Sequence, residues 1–155
     1  MAEHPSSSDG GAAAGALDLV GQWRARLRFS SGEFAGVDDL EFMYVFNAGG
    51  TMTESSNYDA APPVPPAYGI WRRTGLDRFE AKYEFYPTSP PAALEDLTGG
   101  GGWRVAGRGV FTETIVVSAA GARFTSTILY EIFDESGEPI PGGGEATSTG
   151  VPLRF

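Results

Sequence analysis

GQWRARLRF, residues 21–29, is the segment on which the fold turns. Trp23, Ala25, Leu27 and Phe29 fall on one side of an extended chain and Arg24, Arg26 and Arg28 on the other, because successive side chains of a strand point to opposite faces. Alternation this regular predicts a half-buried strand with a cationic outer row.

The same rhythm recurs downstream. Leu40, Phe42, Tyr44 and Phe46 share one face, and the turn Asn47-Ala48-Gly49-Gly50 sends the chain back through Thr51 to Tyr58 as a hairpin. YGIWRR (68–73) and RFEAKYEFY (78–86) predict a second hairpin whose inner face carries Phe79, Ala81, Tyr83 and Phe85. Three further strands are expected in 103–118, 122–134 and 144–155, with Gly107 and Gly109 marking a bend or bulge. Between the groups, PTSPPAALEDLTGGGG (87–102) breaks the pattern; its SPPAALEDL portion predicts one short helix with Ser89 as N-cap, an excursion over one end of the sheet that resembles a lid. Upstream, residues 1–16 are small, polar and glycine-rich, which predicts a disordered N-terminal tail, so the domain is expected to span 17–155. About eight short strands with an aromatic face throughout predict an all-β fold, an antiparallel up-and-down β-barrel with an interior cavity, the size at which a barrel either fills itself or holds one small ligand.

A chain of 155 residues with 41% apolar side chains suffices for one domain with a real core. The net charge of -9 argues against nucleic acid and anionic membrane surfaces as partners, since both demand clustered positive charge. The absence of cysteine removes thiolate nucleophiles and sulfur-ligated metals, and the single histidine, His4, falls in the expected tail. A Ser-His-Asp triad, a histidine base and a histidine zinc site are therefore not expected, and neither a metal nor a cofactor is. GGGG (99–102) precedes a strand and not the helix a phosphate cradle requires, and DESGE (134–138) is too short for a calcium loop. The N-terminus lacks the basic and apolar regions of a secretory signal, so a cytoplasmic location is expected. The sequence leaves a homodimer open.

GQW at Gly21-Gln22-Trp23 resembles the Gly-x-Trp motif of the lipocalin-like calycin barrels, and the order LVGQW, NAGGTMTESSNY, YGIWRRTGLDRFEAKYEFY and SAAGARFTSTILYEIFDESGEPI resembles a group of small actinobacterial lipocalin-like proteins across residues 17–155. That resemblance implies a tryptophan plug at one barrel end, here Trp23, covered by an arginine near the C-terminus, here Arg154. It also implies a cavity for a small apolar molecule. Some small barrels of this kind in bacterial natural-product pathways are cofactor-free cyclases, so the resemblance implies two alternatives: a cofactor-independent cyclase or pericyclase acting on a hydrophobic polyketide, and a carrier or sensor of a small apolar metabolite. A barrel packed solid with its own side chains is the third.

With histidine and cysteine set aside, catalysis would fall to tyrosines and carboxylates. Tyr44, Tyr83 and Tyr130 lie on apolar strand faces, where a phenol adds one hydrogen bond to its ring area. Carboxylates in strands ordinarily face water, as expected of Glu54 and Glu131, but parity from Phe111 and Ile115 turns Glu113 inward. Phe42, Phe46, Phe85, Phe111, Phe124 and Ile128 are the expected ligand-lining residues. The prolines of PPVPPAYGIWRRTG (62–75) stiffen a loop that is expected to form a preorganised rim presenting Tyr68 and Trp71 to a ligand.

Overall fold

The computed structural model describes residues 17–58, 64–89, 91–93, 95–96, 102 and 104–155. Eight strands close into a barrel: β1 (Gly21–Phe29), β2 (Glu41–Phe46), β3 (Thr51–Ser56), β4 (Ala67–Arg73), β5 (Arg78–Phe85), β8 (Arg108–Val117), β9 (Phe124–Phe133) and β10 (Pro139–Pro152). Between β5 and β8, β6 (Thr88–Ser89) and β7 (Arg104–Val105) form a separate two-stranded ribbon. Every barrel strand pairs antiparallel with its neighbour along the chain, and β1 closes the ring by pairing with both β2 and β10. This is an all-β, up-and-down barrel consistent with a lipocalin-like fold, and closure leaves it no open edge. Among the described residues only Glu95 and Asp96 are helical, and no helix is long and apolar enough to cross a membrane.

Alternation decides the inside throughout. The inward residues of β1 and β2 are buried, and so are Phe79, Ala81, Tyr83 and Phe85 of β5. Outward arginines pair with nearby carboxylates, Arg26 with Glu41 at 3.2 Å and Arg72 with Glu80 at 2.8 Å across strands, and Arg28 with Asp38 of the loop before β2 at 2.7 Å. Such exposed pairs contribute at most about 1 kcal/mol each.

Two glycine-rich segments differ from their sequence reading. Gly107 bends the chain as expected, at φ 95° and tight against the Phe133 carbonyl, separating β7 from β8. Gly109 has another function: it leaves room for the Phe85 ring, as Gly150 does for Phe124. PIPGG (139–143), which lies before the strand expected at 144–155, belongs to β10, whose register shifts between Ile140 and Gly144. That bulge, with Gly142 at φ 121°, is where the loop after β1 rests: Ser30 N–H donates to Glu145 O at 2.9 Å and Glu33 N–H to Gly142 O at 3.2 Å. Glu33 and Phe34 are thereby held over one end of the barrel. Ser89 is a strand residue of β6 and does not cap a helix, because it pairs with Arg104. The expected tail (1–16), the start of the proline loop and most of the glycine run lie outside the described residues.

Candidate functional site

The barrel interior has three levels. At one end, Trp23 donates its indole N–H to Leu19 O at 2.8 Å and lies 5.1 Å from the Phe124 ring, sealing that end as a plug. Arg154 does not cover it. Arg154 is exposed and, among the described residues, approaches no ring; the cation at this end is Arg73, 4.6 Å above Phe79 and donating to Leu17 O at 2.5 Å and Leu76 O at 2.7 Å. Leu153 N–H donates to Gln22 O at 2.9 Å beside the start of β1, but the Arg154 side chain that follows is exposed.

Trp71 belongs to this sealed end and not to a ligand rim. Its indole N–H donates to Asn47 O at 3.0 Å, and its ring meets Phe46 at 6.0 Å and Phe79 at 5.7 Å. Phe46 and Phe124, both expected to line a cavity, pack here around Tyr44 at 5.3 and 6.1 Å.

The middle level is polar and buried. Glu113, completely buried, accepts hydrogen bonds from Tyr83 Oη at 2.8 Å and Tyr44 Oη at 3.1 Å on Oε2, and from Ser126 Oγ at 2.5 Å on Oε1. The two phenols lie 3.2 Å apart, and Ser148 Oγ extends the chain to Ser126 at 2.5 Å. Three of the expected catalytic residues, Tyr44, Tyr83 and Glu113, thus meet in one network, joined by two serines that sequence reasoning missed. Burial pushes the Glu113 carboxyl above its ordinary range, opposed by hydrogen bonds from Ser126, Tyr83 and Tyr44. Burial and the Glu113 charge push both phenols far up, so they act as donors and not as bases.

The third level is an open cavity of about 190 Å³ at the end opposite Trp23. Phe29, Phe42, Phe85, Phe111 and Tyr130 form its aromatic wall, while Phe34, Tyr58, Val64 and Pro65 stand around its mouth, with Pro87 and Thr88 from the approach to the ribbon. Phe34 is held there by contacts to Phe29 at 5.5 Å, Tyr58 at 5.0 Å and Tyr130 at 5.7 Å. The proline loop therefore reaches the cavity, but through Val64 and Pro65. Tyr68 does not reach it: Ala67 is the inward residue at the start of β4, so Tyr68 turns outward and is 68% exposed. Ile128 is buried in the wall without lining the cavity.

Phe111 divides the two levels. It stacks on Tyr83 of the network at 4.9 Å and on Tyr130 of the cavity at 4.6 Å. Tyr44, Tyr83 and Glu113 consequently do not line the cavity, whereas Tyr130 does, its phenol pushed up by burial and by the charge of Glu33.

Glu54 is the residue the sequence reading turned the wrong way. It follows Met52 on the inner face of β3, is only 4% exposed, lines the cavity, and its Oε1 has no hydrogen-bond partner among the described residues. Burial first, and then the charge of Glu113, raise its carboxyl to about 8. Glu113, with three hydroxyl donors, is the better-solvated anion of the two, so Glu54 holds the proton at neutral pH. Among the described residues no cluster of metal-ligating side chains occurs. Comparison with protein-family models, with curated proteins and with solved structures gives no match to this chain.

Proposed function

We propose that this chain binds one small, predominantly apolar molecule in the cavity opposite Trp23. The observation that carries the reading is an aromatic-walled space of about 190 Å³ lined by the buried Glu54, whose Oε1 has no hydrogen-bond partner among the described residues. Apolar walls with few polar anchors are the usual composition of a small-molecule site. A merely structural core would fill such a volume, because a void forfeits dispersion contacts and an orphaned polar atom costs about 1–3 kcal/mol.

A second reading is a cofactor-independent cyclase, of the pericyclase kind, acting on a hydrophobic polyketide. Glu54 favours it: a carboxylic acid kept neutral inside an aromatic cavity can donate a hydrogen bond to a substrate carbonyl as charge develops there. Holding a flexible chain folded supplies up to roughly 7–11 kcal/mol in the best intramolecular cases. In this reading Glu54 and Tyr130 touch substrate, while Tyr44, Tyr83 and Glu113 hold the floor behind Phe111. Size weighs against it, since sites for drug-sized molecules enclose about 300–1,000 Å³.

Incubating the purified protein with a lipophilic extract of its host deleted for the gene, followed by liquid chromatography with mass detection, separates the readings. A compound that co-purifies unchanged is the expected result. A time-dependent product of unchanged mass and new retention transfers the conclusion to the cyclase. If neither is seen at protein concentrations well above those of the metabolites, ligand binding is refuted.

A further inference from the structure

Among the described residues, the ionisable side chains that line the cavity are all acids. Glu33 and Glu54 bring carboxyls, Ser56, Tyr58, Thr88 and Tyr130 bring hydroxyls, and no lysine, arginine or histidine is among the lining residues. Glu33 stands exposed at the mouth, on the loop held by the β10 bulge; Glu54 lies buried below it with Oε1 unpartnered.

We infer that the occupant is a small aryl or alkyl amine, held as its ammonium between the Glu54 carboxylate and the surrounding aromatic faces. The inference rests on the cavity being a ligand site, as proposed above, and adds the chemistry of the ligand. An anionic ligand such as a fatty acid or a phosphate would enter a space with two carboxyls and no counter-charge. A purely apolar ligand would leave Glu54 Oε1 unsatisfied, at the full cost of a buried polar group. An ammonium supplies three N–H donors, offsets the repulsion between Glu54 and Glu113, and meets the negative faces of rings such as Phe42, Phe85 and Phe111. The volume sets the scale: a cavity of about 150 Å³ accepts benzene, so 190 Å³ suits one ring with a short chain, or an alkyl group of similar bulk.

Proton release accompanies binding. In the empty barrel Glu54 is protonated at neutral pH, whereas an ammonium beside it favours the carboxylate, so complex formation expels the Glu54 proton to solvent. The other titratable groups around Glu54 are Glu113 of β8, Tyr44 of β2 and Tyr83 of β5, with Glu33, Tyr58 and Tyr130 on the cavity lining. Tyr44, Tyr83 and Tyr130, pushed up by burial, stay neutral throughout, and Glu113 keeps its three hydroxyl donors.

Isothermal titration of the full chain with phenethylamine, phenethyl alcohol and hydrocinnamate at neutral pH tests the assignment, because the three probes share one ring and chain length. The amine is expected to bind at least about tenfold more tightly than the alcohol. No heat is expected from hydrocinnamate. The heat of amine binding is expected to differ between phosphate and Tris buffers in the sense of proton release, and Glu54→Gln is expected to abolish that difference and to weaken the amine while sparing the alcohol. If the alcohol or hydrocinnamate binds as tightly as the amine, the ammonium assignment fails and the cavity stands. If none of the three binds at millimolar concentration, both fall. The three-probe comparison on the wild-type chain decides the matter even where Glu54→Gln does not fold.

Discussion

Replacing Glu54 with glutamine changes how the barrel's stability depends on pH. In the folded chain burial and the Glu113 charge raise the Glu54 carboxyl from 4.5 to about 8; in the unfolded chain it titrates near its ordinary value. Between these two points the folded state holds a proton that the unfolded state has released. Stability therefore falls as pH rises, by about 1.4 kcal/mol per pH unit. Below the unfolded value both states are protonated and nothing is lost; above the folded value both are ionised and the loss is complete. From 4.5 to about 8 the total comes to about 5 kcal/mol, a large fraction of the 5–15 kcal/mol by which domains are usually stable. Glutamine does not titrate, so Glu54→Gln escapes this term. Urea unfolding of both proteins from about pH 5 to about pH 9, read by tryptophan fluorescence, measures the difference directly. It is expected to widen in the variant's favour by about 1.4 kcal/mol per pH unit and to level off above pH 8. Taking the difference cancels the contributions of Glu33 and of other carboxyls that both proteins share. A difference that stays flat across the range, or widens toward low pH, refutes the assignment of the proton to Glu54.

The buried network and the sealed end give two further expectations. Glu113→Gln keeps a group of the same shape and can still accept from the tyrosines, whereas Glu113→Ala opens a void and strands hydroxyls; the alanine variant is expected to lose about 3–5 kcal/mol in urea unfolding and the glutamine variant less than half of that. Equal losses would show that the hydrogen bonds of Tyr44, Tyr83 and Ser126 contribute nothing specific. Arg73→Ala removes the contact over Phe79 and the bonds to Leu17 O and Leu76 O, with an expected cost of about 1–3 kcal/mol in urea unfolding, while Arg154→Ala is expected to stay within about 0.5 kcal/mol in the same assay. The reverse ranking would return the cover of the sealed end to Arg154.

What the sequence disclosed, and what it hid, follows from the strand geometry. The barrel was legible because segments such as 23–29 and 78–85 separate apolar from charged residues cleanly, and each such segment fixes its own inside. AYGIWRR does not separate them. Ala67, Gly69 and Trp71 point in and Tyr68 and Ile70 point out, yet both sets are apolar, so hydrophobicity leaves the parity undecided. One signal was available all the same: Tyr68 and Trp71 are an odd number of residues apart on a strand and therefore lie on opposite faces. Glu54 was recoverable in the same way from Met52, its inward neighbour two positions before. The serines were not. Ser126 and Ser148 matter only because β8, β9 and β10 align Glu113 near them, and that register follows from ladder pairings such as Ile115 with Ser126 and Ser126 with Ser148. Interstrand register is a long-range property that periodicity within one strand does not encode.

The interior also explains why catalytic-looking residues and the accessible space are separate. A carboxylate can be buried at tolerable cost only where donors surround it, and Tyr44, Tyr83 and Ser126 provide them for Glu113 at the expense of sealing it from any ligand. Phe111 completes the seal by stacking on Tyr83 and Tyr130 from its two sides. Glu54 belongs to both levels: it feels the charge of Glu113 on one side and lines the cavity on the other. Its proton is consequently where ligand binding and barrel stability meet. A ligand that satisfies the ionised form binds more tightly as pH rises toward the Glu54 value, so its mass-action stabilisation grows over the range in which the empty barrel loses stability. A ligand that satisfies only the neutral form leaves that penalty in place and loses affinity as Glu54 ionises. The pH dependence of binding therefore reports which chemical form of Glu54 the cavity was built around, independently of what the ligand turns out to be.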